Sequence, residues 1–188
     1  MTIAKPPAAE PDDPVAALIK RGRHRAAISS CAKDYGAPLG RFCMSMLGSQ
    51  AEAEEVVQET LIAAFRGMSE WRGEGSVRAW LYGIARRLCA KRVAKRVRRD
   101  RRLRLVHDAG VEADLPHDIV ERTRRAQAVR SAVANLKPSE REVVVLRYQS
   151  GLAYREIAAI CEIDETAARK RASRALISLR GQFDSEVL

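Results

Sequence analysis

Eleven Lys and Arg side chains lie between Arg86 and Arg104, and Asp100 is the one acidic residue among them. The whole chain carries a formal charge of +10, so this stretch accounts for the entire excess. Acidic partners four residues away, which would relieve the repulsion on a helix, are nearly absent. Such a helix is stabilised by a polyanion, and nucleic acid is the polyanion that this pattern favours. A solvated helix face or a basic tail is the alternative interpretation.

A second basic cluster lies in residues 154–176, YREIAAICEIDETAARKRASRAL. Two helix-like runs flank Glu162-Ile163-Asp164, and the cations are concentrated on the second run. Two helices joined by a short turn, with the small Ala158 in the first, are the helix-turn-helix pattern, whose second helix enters the major groove of DNA. Asp164 is expected to cap that second helix. An ordinary helical hairpin with a basic outer face remains the alternative.

Residue patterns for catalysis are missing from the sequence. It contains no phosphate-binding Gly loop, no G-x-S-x-G and no His close to a candidate nucleophile. The histidines and cysteines show no metal-ligand spacing and no C-x-x-C pair. We therefore expect a protein that is not an enzyme and that uses neither a cofactor nor a metal.

The cysteines and the hydropathy indicate a cellular location. The four cysteines are spread along the chain, which favours small core residues of a reduced compartment, and they are Cys31, Cys43, Cys89 and Cys161. No apolar run approaches the roughly 20 residues that span a bilayer, and no secretion pattern is present. The expectation is a cytoplasmic protein without membrane insertion.

The elements that position these residues read as all-α. Two helical stretches, 15–35 and 38–47, are predicted to break at Gly36-Ala37-Pro38. Ser49 and Glu52 form a capping box that opens a helix over about 49–68. After the Gly-rich turn WRGEGS, Ser76 is expected to cap a helix of 77–104 that presents Val77, Trp80, Leu81, Ile84 and Leu88 inward.

Before the second half of the chain, the residues that follow the basic helix show no sustained hydrophobic periodicity. A second S-x-x-E box, Ser139 to Glu142, is predicted to cap a helix that starts near Pro138 and ends at Ser150-Gly151. The fold prediction is all-α, with two small helical domains joined by a flexible linker. Its boundaries are a disordered lead-in over 1–14, a first domain over 15–100, a linker over 101–124 and a helix-turn-helix domain over 125–183.

Three segments, taken in order, resemble the bacterial extracytoplasmic-function sigma factors of RNA polymerase. AEAEEVVQETLIAAFRGM is similar to the family's core-binding helix, and VRAWLYGIARRLCAKRVAKRVRR is similar to the helix that reads and opens the −10 promoter element. LKPSEREVVVLRYQSGLAYREIAAICEIDETAARKRASRAL is similar to the domain that binds the −35 element. The resemblance implies a subunit that directs core polymerase to promoters. A stand-alone helix-turn-helix regulator is the alternative, and it leaves the first two segments without a role.

The resemblance also implies roles for individual residues of the first domain. The coiled coil of the polymerase β′ subunit would dock on Glu55, Gln58 and Glu59. Promoter bases would be flipped out beside the WRGEGS loop, where the available aromatic residues are Trp71, Trp80 and Tyr82, although Trp80 also falls on the inward stripe. The phosphates and the upstream duplex would be held by Arg86, Arg87, Lys91, Arg92, Lys95 and Arg96.

In the second domain, the −35 element would be addressed by Tyr154, Arg155, Thr166, Arg169, Lys170, Arg171 and Arg174. Several positions depart from the family pattern: Arg87 and Lys91 replace Asn and Asp, Glu162 replaces a turn Gly, and Ala167-Ala168 replaces a Thr-Val pair. The promoter sequence therefore cannot be carried over. Family members are often inhibited by an anti-sigma protein bound against both domains, so an anti-sigma factor is a possible partner.

Overall fold

The computed structural model describes residues 13–103 and 120–185 of the chain. The first part contains four helices: α1 (Pro14–Lys20), α2 (His24–Leu47), α3 (Gln50–Gly67) and α4 (Val77–Leu103). A short 3-10 turn, Met68–Glu70, follows α3. The second part contains α5 (Val120–Ala134), α6 (Pro138–Val144) with a π-helical turn at Val145–Gln149, α7 (Tyr154–Cys161) and α8 (Glu165–Ser185). The all-α prediction is confirmed for the described ranges.

Helices extend into both the predicted lead-in and the predicted linker. Asp13 caps α1 by accepting from the backbone N–H of Val15 at 2.9 Å, so helix begins inside the predicted lead-in, whose residues 1–12 lie outside the described part. The predicted linker over 101–124 overlaps the end of α4 and the start of α5. Only its residues 104–119 lie outside the described ranges.

The predicted helix break at Gly36-Ala37-Pro38 is wrong. The chain turns at Gly22, whose φ of 71° suits glycine, and α2 then runs continuously through Pro38. A proline inside a helix removes one backbone hydrogen bond and costs about 3 kcal/mol. The side chains of Leu39, Phe42 and Cys43 are completely buried just after it, and burial of large apolar groups at about 1.5–3 kcal/mol each offsets that cost.

The second predicted capping box is also wrong, whereas the first cap and the Ser76 cap are confirmed. Ser49 accepts from the N–H of Glu52 and Ser76 from the N–H of Ala79. In α6 the cap residue is Lys137 with Pro138 in the first turn, and no side chain caps it. Glu142 is buried instead, because it faces an arginine of α4 across the fold.

The two halves of the chain pack against each other along α4 and α7. One continuous set of buried side chains runs from Phe42, Val56 and Leu81 in the first half to Leu146 and Ile157 in the second. All four cysteines are buried, as predicted. Within the described ranges, no helix is long and apolar enough to cross a membrane. The two helical units are therefore present, and in this structure they share a common interior.

Candidate nucleic-acid interface

A cavity of about 580 Å³ opens between the end of α3, the loop over 71–76 and α4. Two aromatic walls, Trp71 and Trp80, lie with ring centroids 6.1 Å apart and ring planes tilted by 36°. The rest of the lining alternates charged and apolar groups, and includes Arg72, Glu74, Ile84, Arg87 and Leu88. A nucleobase has a flat π-face and a polar edge, so aromatic walls beside charged groups suit it.

Glycines give the loop its shape. Gly73 and Gly75 have φ values of 73° and 82°, a region in which a Cβ atom is disfavoured. At the floor of the cavity, a Cβ added to Gly67 would meet the Trp80 ring at 3.4 Å. The sequence signal WRGEGS thus encodes a tight loop that carries Trp71 over the start of α4.

The indole N–H of Trp71 is buried and has no hydrogen-bond acceptor in the structure. Buried donors are nearly always paired, because an unpaired one costs on the order of 1–3 kcal/mol. Trp71 lines the cavity, so the unpaired donor belongs to a side chain beside the place where a ligand with acceptor oxygens or nitrogens would bind. Bases carry such acceptors on their edges.

Tyr82 is not available to a base, and its expected role requires correction. Its side chain is 1% exposed, and its ring meets Phe42 edge-on with centroids 5.4 Å apart. Tyr82 follows Leu81 on α4, one residue outside the predicted apolar stripe, and α2 covers that face as well. Trp80 packs against the core, as expected, and also lines the cavity, whereas its contact with a promoter base stays a prediction.

An exposed basic ridge continues from the cavity along α4. Arg87, Lys91 and Lys95 are spaced four residues apart and therefore share one helix face. All three side chains are exposed, and none makes an ion pair with another described residue. This ridge presents three unneutralised charges in a line of about 12 Å at 1.5 Å per residue.

Arg86 faces the other way, into the contact between the two halves. Its Nε donates to Oε1 of Glu142 at 2.7 Å. Burial lowers the pKa of Arg86, but the hydrogen bond and charge of Glu142 outweigh it, so the pKa is raised overall. The thiol of Cys161 donates to Oε2 of the same carboxylate at 3.5 Å, and burial is the main reason its pKa rises to about 12. Arg86 is thus neutralised in this conformation.

The predicted polymerase-binding acids lie beside the basic helix. Arg92 donates to Glu55 and to Glu59, with both distances at 2.6 Å. Arg96 lies 3.9 Å from Glu52 and donates to the carbonyl of Leu47 at 3.0 Å. Gln58 is exposed on the same face of α3. The structure brings these predicted residues together, which the sequence did not indicate.

The helix-turn-helix geometry follows the predicted boundaries. Asp164 accepts from the N–H of Ala167 at 2.7 Å and so caps α8. Glu162 adopts a φ of 57°, the left-handed conformation that glycine usually supplies in this turn. Ala158 is buried between α7 and α8. The turn therefore keeps its usual backbone shape even though Glu162 stands where glycine is usual.

Tyr154 organises the start of the basic face of the second half. The guanidinium groups of Arg147 and Arg169 lie over its ring, 4.9 and 4.7 Å from the centroid. Arg169 also pairs with Glu165 at 2.6 Å. The other predicted contact residues lie on the outside of α7 and α8, where Arg171 is partly exposed and the rest are exposed, namely Arg155, Thr166, Lys170, Arg171 and Arg174.

Burial explains the alanine at position 168, where the family pattern has a larger residue. Ala168 is completely buried against the preceding helices, so it belongs to the core. Ala167 is partly exposed. A small residue at 168 lets α8 pack closely, which places the cations of its next turn outward.

Sequence reasoning missed three charged residues. Arg147 was not singled out, yet its guanidinium stacks on Tyr154. Glu142 pairs with Arg86, and Glu156 accepts from Ser76 at 2.6 Å while lying 3.7 Å from Arg78. Glu156 carried no signal, since a glutamate in the first turn of a helix normally serves its own backbone, as it also does here toward Ala153.

A second, more apolar cleft of about 770 Å³ lies where both halves meet on another side. It is bordered by the end of α2, by α5, by α6 with its π-turn and by α8. Met44, Val129, Tyr148 and Leu176 contribute exposed apolar surface to it. Cations occur along its lining at Arg96, Arg130 and Arg141.

Comparison with known proteins gives consistent matches. The family models of Sigma-70 region 2 and Sigma-70 region 4 match residues 31–99 and 126–179. The ECF RNA polymerase sigma factor SigC of Mycobacterium tuberculosis is 30% identical over 150 residues, which is 77% of either chain. The RNA polymerase sigma factor YlaC of Bacillus subtilis is 25% identical over 84% of this chain and 92% of its own. The fold matches the sigma factor RpoE of Bartonella quintana, solved with the anti-sigma factor NepR, with a TM-score of 0.64 and 23% identity over 82% of this chain and 97% of that one.

Proposed function

The chain belongs to the extracytoplasmic-function sigma factors, the family that directs bacterial RNA polymerase to promoters, and from that premise we propose how its surfaces divide the work. The first half binds the −10 element and traps unpaired bases, and the second half binds the −35 element. The acidic face of α3 docks on the β′ coiled coil of core polymerase. The mechanism is binding, so we assign no catalytic residue, and we place the protein in the cytoplasm with polymerase and the chromosome.

One observation carries the −10 assignment: the Trp71–Trp80 cavity and the exposed Arg87, Lys91 and Lys95 ridge are contiguous on α4. Flipping a base out of the duplex costs a few kcal/mol. Stacking on an aromatic side chain returns about 1–3 kcal/mol per base. The ridge adds phosphate contacts next to the trapped base, and these hold the backbone without reading the sequence.

The −35 assignment rests on the exposed cations of α8 behind an Asp164-capped turn. A recognition helix places its N-terminal residues at base edges in the major groove. Thr166, Arg169 and Lys170 occupy those positions here. Tyr154, stacked with Arg147 and Arg169, holds the arginine side chains in defined places, which favours base contacts over diffuse attraction.

The test of this function is in vitro transcription with purified protein, sigma-free core polymerase and fragmented genomic DNA. We expect discrete start sites that share sequence upstream. Replacing Arg87, Lys91 and Lys95 together by Gln should abolish initiation, whereas replacing the distant exposed Arg25 and Lys33 by Gln should not. Absence of any start site with the folded protein would refute the proposal.

We further propose that the apolar cleft receives a helix of an anti-sigma factor. The cleft exposes the apolar side chains of Val129 and Leu176 and has three arginines along its lining. An amphipathic helix would match it, with its apolar face against the apolar side chains and acidic residues along its border against the arginines. Because the cleft borders both halves, a helix bound there would hold them together. The family premise supplies the class of partner, and the cleft supplies the place.

Val129→Glu tests this docking because it puts a charge into the cleft from α5, where Val129 is 50% exposed. In cells, transcription from the protein's target promoters should rise, while in vitro transcription with purified core should stay unchanged. Ile177→Glu is the matched control, since Ile177 is 72% exposed and does not line the cleft. Equal transcription in cells from the Val129→Glu and wild-type proteins would contradict the docking site.

A further inference from the structure

Arg92 lies between two surfaces to which the proposed function gives different partners. Its guanidinium donates through Nη1 to Glu55 and through Nη2 to Glu59 at 2.6 Å each. The carboxylates are well exposed, and the arginine is less so. The hydrogen bond with Glu55 is the main cause of the raised pKa of Arg92; burial lowers it, and Glu59 raises it further. In the free chain both terminal nitrogens of the arginine therefore donate to these two carboxylates.

This arrangement changes the charge that DNA meets. One cation held by two carboxylates leaves a local net charge of −1, so a phosphate approaching Arg92 also meets Glu55 and Glu59. The neighbouring ridge of Arg87, Lys91 and Lys95 has no such acids. The free chain thus presents fewer available cations on α4 than the sequence count suggests.

We propose that Arg92 is a shared cation that couples polymerase binding to DNA binding. When a cationic surface of core polymerase takes Glu55 and Glu59, the arginine is released to a DNA phosphate, and in the free chain it is withheld. Such coupling is reciprocal, so DNA contact by Arg92 strengthens the acids' hold on polymerase by the same factor. The inference rests on the proposed function, because that function assigns the two partners.

The pairing of Arg92 also affects how the free chain binds DNA without sequence preference. Non-specific binding to the chromosome is carried by Lys and Arg contacts to phosphates. Withholding Arg92 lowers that binding before polymerase is engaged, and releasing it afterwards adds a contact where the promoter is gripped. Glu52 and Arg96, 3.9 Å apart one turn along, form a looser pair of the same kind.

The experiment measures binding of the free chain to a 30-base-pair duplex of arbitrary sequence across a range of salt concentrations. Glu55→Gln with Glu59→Gln should tighten binding and steepen the slope of log K against log salt by about 0.9, the value for one added phosphate contact. Arg92→Gln alone should change the slope little. Added to the double variant, it should return the slope to that of the native protein.

The matched control is Asp34→Asn with Glu54→Gln, which removes two exposed acids that do not touch Arg92. An equal steepening in the control would overturn the inference, because general charge would then explain the effect. An equal effect of Arg92→Gln with and without the acids would overturn it too. Exposed ion pairs contribute little to the free energy of folding, so the variants are expected to stay folded. Arg92→Lys is a second variant, which keeps the positive charge but loses the planar guanidinium that bonds to both acids.

A second arm uses the assembled polymerase. Arg92→Gln should shorten the lifetime of promoter complexes at raised salt by a larger factor than it weakens binding of the free chain to the arbitrary duplex. An unaltered lifetime would overturn the release step. The duplex assay contains no polymerase, so failure of promoter-directed transcription and failure of the Arg92 coupling are seen in different measurements.

Discussion

At the scale of single residues, Trp71 and Tyr82 show that the surroundings of an aromatic side chain decide whether it belongs to the core or lines a binding cavity. Both are aromatic; Trp71 is on the loop before α4, and Tyr82 lies within α4. Tyr82 is enclosed by Phe42 and the core, whereas Trp71 is on the loop that lines the cavity, and its buried N–H has no acceptor. A buried donor without an acceptor is a cost that the free protein sustains. That cost is explained if a base supplies the acceptor.

Trp71→Phe tests this explanation, because it keeps an aromatic ring and removes the N–H. We expect unchanged or slightly higher thermal stability together with a several-fold loss of strand opening, measured as permanganate reactivity of unpaired thymines in the polymerase complex. Trp80→Phe serves as the comparison, since the indole N–H of Trp80 is not among the unpaired buried donors. Full opening with Trp71→Phe would show that the donor does not meet a base.

At the scale of elements, the turn between α7 and α8 keeps the helix-turn-helix geometry with an unfavourable residue. Glu162 holds a φ of 57°, and a non-glycine residue in the left-handed region costs roughly 1–2 kcal/mol. Backbone bonds enforce the conformation: the N–H of Ile163 donates to the carbonyl of Ala158 at 3.0 Å. The cap at Asp164 then starts α8 in a fixed direction.

Glu162→Gly should therefore stabilise the protein by about 1 kcal/mol, because glycine adopts this conformation without strain. The measurement is urea unfolding followed by circular dichroism. Glu165→Gly, in the first turn of α8, should destabilise it, since glycine is unfavourable within a helix. A destabilising Glu162→Gly would mean that the side chain contributes more than the strain costs.

At the scale of the whole molecule, the two halves share an apolar interior and are also joined by ion pairs of two buried glutamates. Arg86 pairs with Glu142, and Glu156 is shared by Ser76 and Arg78. The −10 and −35 elements lie about 25 base pairs apart, or roughly 85 Å at 3.4 Å per base pair. We therefore expect the two halves to part when the protein binds a promoter. Such a movement would also free Arg86 from Glu142.

Glu142→Gln with Glu156→Gln should favour the parted state, because it leaves Arg86 and Arg78 without their carboxylates at the contact. We expect a larger radius of gyration by small-angle X-ray scattering and faster promoter binding by the holoenzyme. Glu54→Gln with Glu70→Gln removes the same charge from exposed sites and should leave the radius unchanged. An unchanged radius in the contact variant would show that apolar packing alone holds the halves together.

Much of the fold follows from local patterns. The caps at Ser49, Ser76 and Asp164 and the turns at Gly151 and Glu162 were readable, because each depends on residues a few positions apart. The errors came where distant contacts overrode local signals. Pro38 stays helical because buried neighbours hold it, and Ser139 and Glu142 do not form a box because Arg86 takes the carboxylate.

The sequence by itself determined the helices, their order and the places where cations concentrate, since periodicity, capping and charge are properties of neighbouring residues. It also carried the family motifs. Only the tertiary structure decided which cations are available: Arg87, Lys91 and Lys95 are exposed, while Arg86 and Arg92 are held by acids 56 and 33–37 positions away. Charge acts through space, so the partner that neutralises an arginine is set by how helices pack and not by which residues adjoin it.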